Sequence, residues 1–254
     1  MSVKELTNIT LNIEGDNLFY SKRWRPFEKV YLYFLGELIW YLSGKNDIKY
    51  ISQYSIFWKK LVDKRGKINS NYGRLVFYKK NKYRISQFKW CVDQLNKDLN
   101  SRQTVILYND KDYYHNHNKD FICTQLQQFI VRNNKLSSII YIRSSDIILG
   151  LTYDIPFWSF VQQQLLNKIN ERYKNIQLGS LTIHFGSCHF YMNKMRLIQS
   201  ILKDGIRSSQ LVFHHYVPLY RNIDWYRNNI GRYIDIVPTE FNLDKIYNQI
   251  YNDL

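Results

Sequence analysis

Apolar side chains fill most positions from 26 to 44, between Pro26 and Gly44, which predicts a helix buried nearly all round. Proline is at home in a first turn and glycine is a common stop. Glu37 lies in the middle of this run, between Leu35 and Trp40. From 86 to 99, Phe88, Val92, Leu95 and Leu99 fall on one helical stripe. Strand-like runs follow at 104–108, 126–131 and 136–143. The pattern then predicts a helix from Ile155 to about Tyr173, a strand at 178–185, and a helix at 189–203 stopped by Gly205. A strand at 234–237 and a short helix from Asn242 close the chain. No repeat, linker or low-complexity tract interrupts it, so 1–254 reads as one domain. Long helices mixed with a sheet, without regular βαβ alternation, point to an α+β fold.

Composition narrows this only slightly. The 254 residues are 45% hydrophobic, enough for a proper core. No stretch approaches the ~20 apolar residues of a membrane span, and Met1-Ser2-Val3-Lys4-Glu5-Leu6 lacks an apolar leader core. Three cysteines without metal-like spacing suggest a reduced, cytoplasmic protein with neither a disulfide framework nor a metal site. The net charge of +15 and 22 tyrosines fit polyanion binding. They fit equally the Lys-, Asn-, Ile- and Tyr-rich usage of an AT-rich genome. The charges are scattered, so the second reading is preferred, with a weak pull on phosphorylated substrates.

Three blocks carry chemistry. The first is Asp120-Phe121-Ile122-Cys123-Thr124 with Gln128-Phe129 shortly after; the second is Arg143-Ser144-Ser145-Asp146, then Leu149-Gly150-Leu151 and Asp154; the third is Gly186-Ser187-Cys188-His189-Phe190-Tyr191. A thiol, an arginine–serine pair, two carboxylates and a His-x-Tyr suggest covalent chemistry on a nucleotide base. Cysteine is the strongest side-chain nucleophile near neutrality once its thiolate is stabilised. Adding it to C6 of a pyrimidine makes C5 electron-rich and able to attack a one-carbon electrophile. Each residue also has a plainer reading: Cys123 as a buried structural thiol, Arg143 on the surface, His189 as a helix cap, Glu37 in a buried ion pair, and Tyr72-Gly73 as a turn.

These blocks resemble the thymidylate synthase superfamily in order and spacing. So do Gly36-Glu37-Leu38-Ile39-Trp40-Tyr41-Leu42-Ser43-Gly44, Ile56-Phe57-Trp58, Asn69-Ser70-Asn71-Tyr72-Gly73 and Ser101-Arg102-Gln103. The resemblance implies a mixed sheet packed with long helices, dimerising through the sheet. It implies that Cys123 is the C6 nucleophile, that Glu37 orients water and relays protons, and that Tyr72 assists loss of the C5 proton. Arg143 and Ser144 would bind phosphate, and Arg102 would reach the same phosphate from a partner subunit. His189 and Tyr191 would hold the sugar 3′-hydroxyl, and Gln128 would line the nucleotide pocket. Asp146 and Trp58 would contact 5,10-methylenetetrahydrofolate, the co-substrate.

Two departures select a branch. Synthases carry asparagine at the position of Asp154, matching uracil. A carboxyl group there can accept from the N4 amino group of cytosine and share its proton with N3. Asp154 could instead cap a helix beginning at Ile155-Pro156. Thr124 stands where synthases usually carry histidine. Asp-Phe-x-Cys-Thr, Asn-Ser-Asn-Tyr-Gly and Asp154 together resemble the phage deoxycytidylate hydroxymethylases, which add water where synthases add hydride. The ending Asn248-Gln249-Ile250-Tyr251-Asn252-Asp253-Leu254 is polar, unlike the small apolar tail of synthases. Gln103 replaces an arginine, and the N-terminal Arg-Thr-Gly phosphate loop is not recognisable, leaving Lys4 or Lys22-Arg23 as stand-ins. The expected substrate is dCMP; the alternatives are dUMP, CMP, or a nucleic-acid-binding homologue without catalysis.

Overall fold

The computed structural model describes residues 2–14 and 27–203 together with Asp224. The expectations for Pro26, Gly205, the 234–237 strand, the helix from Asn242 and the C-terminal tail lie outside the described residues, as does the Lys22-Arg23 pair. A mixed sheet has the order β1 (Val3–Ile13), β5 (Gln177–Tyr191), β4 (Lys135–Asp146), β3 (Thr124–Arg132), β2 (Val105–Leu107). Neighbours are antiparallel except β4 and β5. The helices are α1 (Phe27–Ser43), the single turn α2 (Trp58–Leu61), α3 (Gln87–Lys97), α4 (Leu151–Tyr173) and α5 (Met195–Lys203). This is an α+β architecture. Among the described residues no helix is long and apolar enough to cross a membrane.

Local chemistry explains the elements. The β3–β4 hairpin turns on Asn133 and Asn134, both with positive φ (50° and 56°). Asparagine tolerates that region, and two such residues make a tight turn matching strand twist. Ser86 caps α3 by accepting from the Lys89 amide at 3.3 Å. The stripe on α3 runs through Phe88, Cys91 and Leu95, with Val92 only half-buried. Helix α4 buries Ile155, Phe157, Trp158, Phe160, Val161, Leu165 and Ile169 against β4, β5 and α1. Burying a large apolar side chain contributes about 1.5–3 kcal/mol, so α4 is held mainly by this face.

The boundaries differ from the pattern in instructive places. Helix α4 begins at Leu151 and holds Pro156 inside it, which puts Asp154 within the helix, its amide bonded to the Gly150 carbonyl at 3.1 Å. The cap reading of Asp154 is therefore excluded. Strand β5 runs on through His189 to Tyr191, and α5 starts only at Met195 after a 3-10 turn. His189 is thus a strand residue and caps no helix. Strand β1, absent from the sequence reading, pairs with β5 along its length.

The sheet's inner face creates the site. Ile140, Ile142, Ile183 and Phe185 are buried there, with Leu11 and Ile9 as their partners on β1. Two residues further along, the same face carries Ser144, Asp146, Ser187, His189, Glu5 and Thr7, because side chains alternate with period two. The core ends and a polar cleft begins within one sheet.

Candidate active site

Several elements converge on the cleft. Glu37 from α1 is 5% exposed, amid Phe34, Leu38, Ile39 and Trp40. Burial first, and the Asp154 charge second, push its pKa well above the carboxylate range; hydrogen bonds from Tyr33 and Tyr41 oppose this. The Trp58 indole donates to the Tyr33 hydroxyl at 2.9 Å, and that hydroxyl donates to Glu37 Oε1 over a longer 3.4 Å. Tyr33 and Tyr41 lie four residues before and after Glu37, so i,i+4 helical spacing was the sequence signal for both.

Tyr72 is buried, stacked on Tyr41 at 5.7 Å and edge-on to Tyr108 at 5.0 Å. Its hydroxyl accepts from Thr124 Oγ1 at 3.3 Å. Burial, then the charges of Asp154 and Cys123, raise its pKa. Gly73 lets this turn close on α1, since a Cβ there would lie 2.2 Å from the Tyr41 carbonyl oxygen. Asn71 stitches the same junction, donating to the carbonyls of Trp40 (2.9 Å) and Lys45 (2.6 Å).

Cys123 is half-buried where its loop enters β3. Burial raises the thiol's pKa; Arg143 pulls it down, and Asp154 and Asp120 push it up. Arg143 on β4 grips the same loop. Its amide donates to the Cys123 carbonyl (3.0 Å), Nε to that of Ile122 (3.1 Å) and Nη2 to that of Phe121 (2.6 Å). Asp154 is half-buried as a residue, yet the protein mass around its carboxyl raises the pKa to about 7. That carboxyl acts electrostatically on Glu37, Tyr41, Tyr72 and Cys123, which places all five groups in one field.

The remaining candidates divide. Ser144 pairs with Ser187, and Asp146 with His189, on the cleft face. Ser187 donates to Glu5, and its hydroxyl lies 3.4 Å from His189 Nδ1; the His189 ring meets Tyr191 edge-on at 5.5 Å. Asp146 Oδ1 accepts from the amides of Ile148 (2.8 Å) and Leu149 (3.1 Å), while Oδ2 is buried with no partner among the described residues. Trp58 is buried against Trp40 at 5.2 Å with its N–H spent on Tyr33, whereas Ile56 and Phe57 beside it are exposed. Gln128 and Arg102 stand apart from the cleft. A bulge between Thr124 and Leu126 turns Gln127 inward and Gln128 outward, where it donates to the Arg102 carbonyl at 3.0 Å. Gln127 is the buried one, bonded to Ser138, Tyr108 and the Trp158 carbonyl. Among the described residues no cluster of three or more His, Cys, Asp or Glu could hold a metal.

A half-buried thiol beside a carboxyl group whose pKa burial raises to about 7, a phenol, a buried second acid and an arginine defines a site for nucleophilic addition with proton transfer. The family model described as thymidylate synthase matches residues 28–225. The chain belongs to the thymidylate synthase family, folate-dependent one-carbon transferases that act on pyrimidine nucleoside monophosphates with methylenetetrahydrofolate. Deoxycytidylate 5-hydroxymethyltransferase of Enterobacteria phage T4 is 27% identical over 180 residues, covering 68% of this chain and 72% of the relative. The phage T6 protein of the same description matches to the same extent. Thymidylate synthase of Vesicomyosocius okutanii subsp. Calyptogena okutanii is 28% identical over 166 residues, covering 64% of this chain and 61% of the relative.

Proposed function

We propose that this chain transfers a one-carbon unit to C5 of dCMP and adds water, giving 5-hydroxymethyl-dCMP. The observation that carries this reading is Asp154, an acid with a pKa near 7 in the field of Cys123, Tyr72 and Glu37. Near neutrality its carboxyl can hold a proton for N3 of cytosine while accepting from the N4 amino group. A proton held there also removes one of the two charges that oppose the Cys123 thiolate.

The surroundings support a role for each residue. Cys123 adds to C6, with Arg143 favouring its thiolate. Tyr72, wedged between Tyr41 and Tyr108, assists departure of the C5 proton. Glu37, its pKa raised by burial and its carboxyl aimed by Tyr33 and Tyr41, orients the water and relays protons. Arg143 and Ser144 receive the phosphate, and His189, braced by Ser187, receives the 3′-hydroxyl with Tyr191. The folate fits on one count: Asp146 Oδ2 is a buried acceptor with no partner among the described residues, suited to a pterin N–H. When bound, methylenetetrahydrofolate supplies a one-carbon unit at the oxidation level of formaldehyde. Trp58 supports the adjoining wall, where Ile56 and Phe57 offer exposed apolar surface.

The active unit is a homodimer of single-domain subunits. Among the described residues the outer sheet face is sparsely covered, with Leu107 55% and Tyr141 44% exposed, and it carries Gln128. A partner docked there brings Arg102 towards the phosphate held by Arg143. The 28% identity to a thymidylate synthase favours a second reading, methylation of dUMP at the same site. Cys123→Ser tests the covalent step. It should keep the fold and abolish exchange of the C5 hydrogen of dCMP; wild-type exchange in this variant would refute the mechanism.

A further inference from the structure

Asp120 is 5% exposed and, among the described residues, has no cationic partner in hydrogen-bond contact. Its Oδ2 accepts from the amides of Asn69 and Ser70, both at 2.7 Å, and its Oδ1 from Ser70 Oγ at 2.5 Å. The contact is reciprocal. Asn69 Nδ2 donates to the Asp120 carbonyl (3.0 Å) and to Asn118 Oδ1 (3.1 Å), which also accepts from the Asp120 amide (2.9 Å). Cys123 lies three residues beyond Asp120, and Tyr72 two residues beyond Ser70. The next tie between the two strands of chain is the Thr124–Tyr72 hydrogen bond, at 3.3 Å.

We propose that Asp120 is a positioning residue that locks the Cys123 loop to the Tyr72 turn and places a negative charge beside the thiol. The inference rests on the reading of Cys123 and Tyr72 as the reacting pair. Holding two loops by neutral donors alone does not require a charge, because a single amide oxygen can accept from both backbone N–H groups. An ionised group buried without a counter-ion is costly. Its charge reaches the thiol, which also faces Arg143 from β4, Asp154 from α4 and Tyr72 from the turn. Asp120 and Asp154 oppose the thiolate and Arg143 favours it, so each side of the balance can be altered separately.

The two functions of Asp120 separate by substitution. In Asp120→Asn the amide oxygen keeps both backbone contacts, the amide nitrogen donates to Ser70 Oγ, and the charge is gone. Asp120→Ala removes charge and clamp together. Three quantities are to be measured on the full chain: thermal unfolding, exchange of the C5 hydrogen of dCMP, and the pH profile of Cys123 alkylation by iodoacetamide, resolved by peptide mass spectrometry from Cys91 and Cys188. Both variants should alkylate with the apparent thiol titration moved to lower pH than in wild type. Exchange should fall at least ~10-fold in Asp120→Ala with KM for dCMP altered less than ~3-fold, because misplacement of reacting groups acts on turnover. Asp120→Asn should stay within a few-fold of wild type. An unshifted thiol titration, wild-type exchange in Asp120→Ala, or equal losses in both variants would overturn the proposal. If Asp120→Ala does not fold, the titration and retained exchange of Asp120→Asn decide. Wild-type protein without any C5 exchange would instead refute the reaction; the alkylation profiles would still judge the charge, and a lower unfolding temperature in Asp120→Ala than in Asp120→Asn would still judge the clamp.

Discussion

Replacing Asp154 with asparagine exchanges an acid for an amide of nearly the same shape. The amide can donate to O4 of uracil and accept from its N3–H, so preference should move from dCMP towards dUMP. One hydrogen-bond pair made or mismatched in a closed site is worth about 1–3 kcal/mol, or roughly 5- to 150-fold in relative kcat/KM. The same change has a signature in stability. Burial raises the folded-state pKa of Asp154 to about 7, against about 4 in the unfolded chain. Between those values the folded protein holds a proton that the unfolded chain has released. Stability therefore falls as pH rises through that window, by at most about 4 kcal/mol and less to the extent that the half-buried residue meets solvent. Asp154→Asn should remove that part of the slope and gain stability relative to wild type above about pH 7. In the wild type, kcat/KM for dCMP should also decline above about pH 7, as the acid loses the proton destined for N3. The assay is kcat/KM for both nucleotides from about pH 6 to pH 8.5, with urea melts from about pH 4 to pH 8.5. An unchanged dCMP/dUMP ratio would refute base reading by Asp154, and an unchanged stability slope would refute its raised pKa.

Two further outcomes are expected, the first from the proposed dimer and the second from the geometry of the Tyr72 turn. Mixing inactive Arg102→Ala with inactive Cys123→Ser should restore part of the activity once subunit exchange is verified, since one site in each mixed dimer carries both native groups; mixed dimers that stay inactive would show that Arg102 does not act across an interface. Gly73→Ala should lower stability by about 1–3 kcal/mol, read from urea midpoints, because its Cβ would lie 2.2 Å from the Tyr41 carbonyl oxygen; an unchanged midpoint would contradict the close approach of the Tyr72 turn to α1.

The core helices and central strands were legible because their apolar periodicity is strong: α1, α3, β3 and β4 lie close to where the pattern put them. Strand β1 was missed because it is an edge, exposed except at Ile9 and Ile13; the alternation from Ile9 to Ile13 was its one signal. The strand was ended at Phe185, and His189 to Tyr191 were read as helix, because the inward positions of β5 turn polar where the cleft begins, at Ser187 and His189. Pro156 was taken as a helix start although α4 accommodates it one turn further in, after Gly150. The site's motifs were readable as an ordered set of residue types. What the chain alone did not reveal was which way each side chain turns. One bulge before Leu126 exchanges the faces of Gln127 and Gln128, and Asp120 bonds to residues some fifty positions away.

The most direct test of the central claim is mass analysis of the products formed from dCMP, CMP and dUMP, each incubated with the protein and methylenetetrahydrofolate. The account predicts 5-hydroxymethyl-dCMP, heavier than dCMP by one formaldehyde unit, as the main product. A product from dUMP carrying a methyl group, with dCMP untouched, would contradict it.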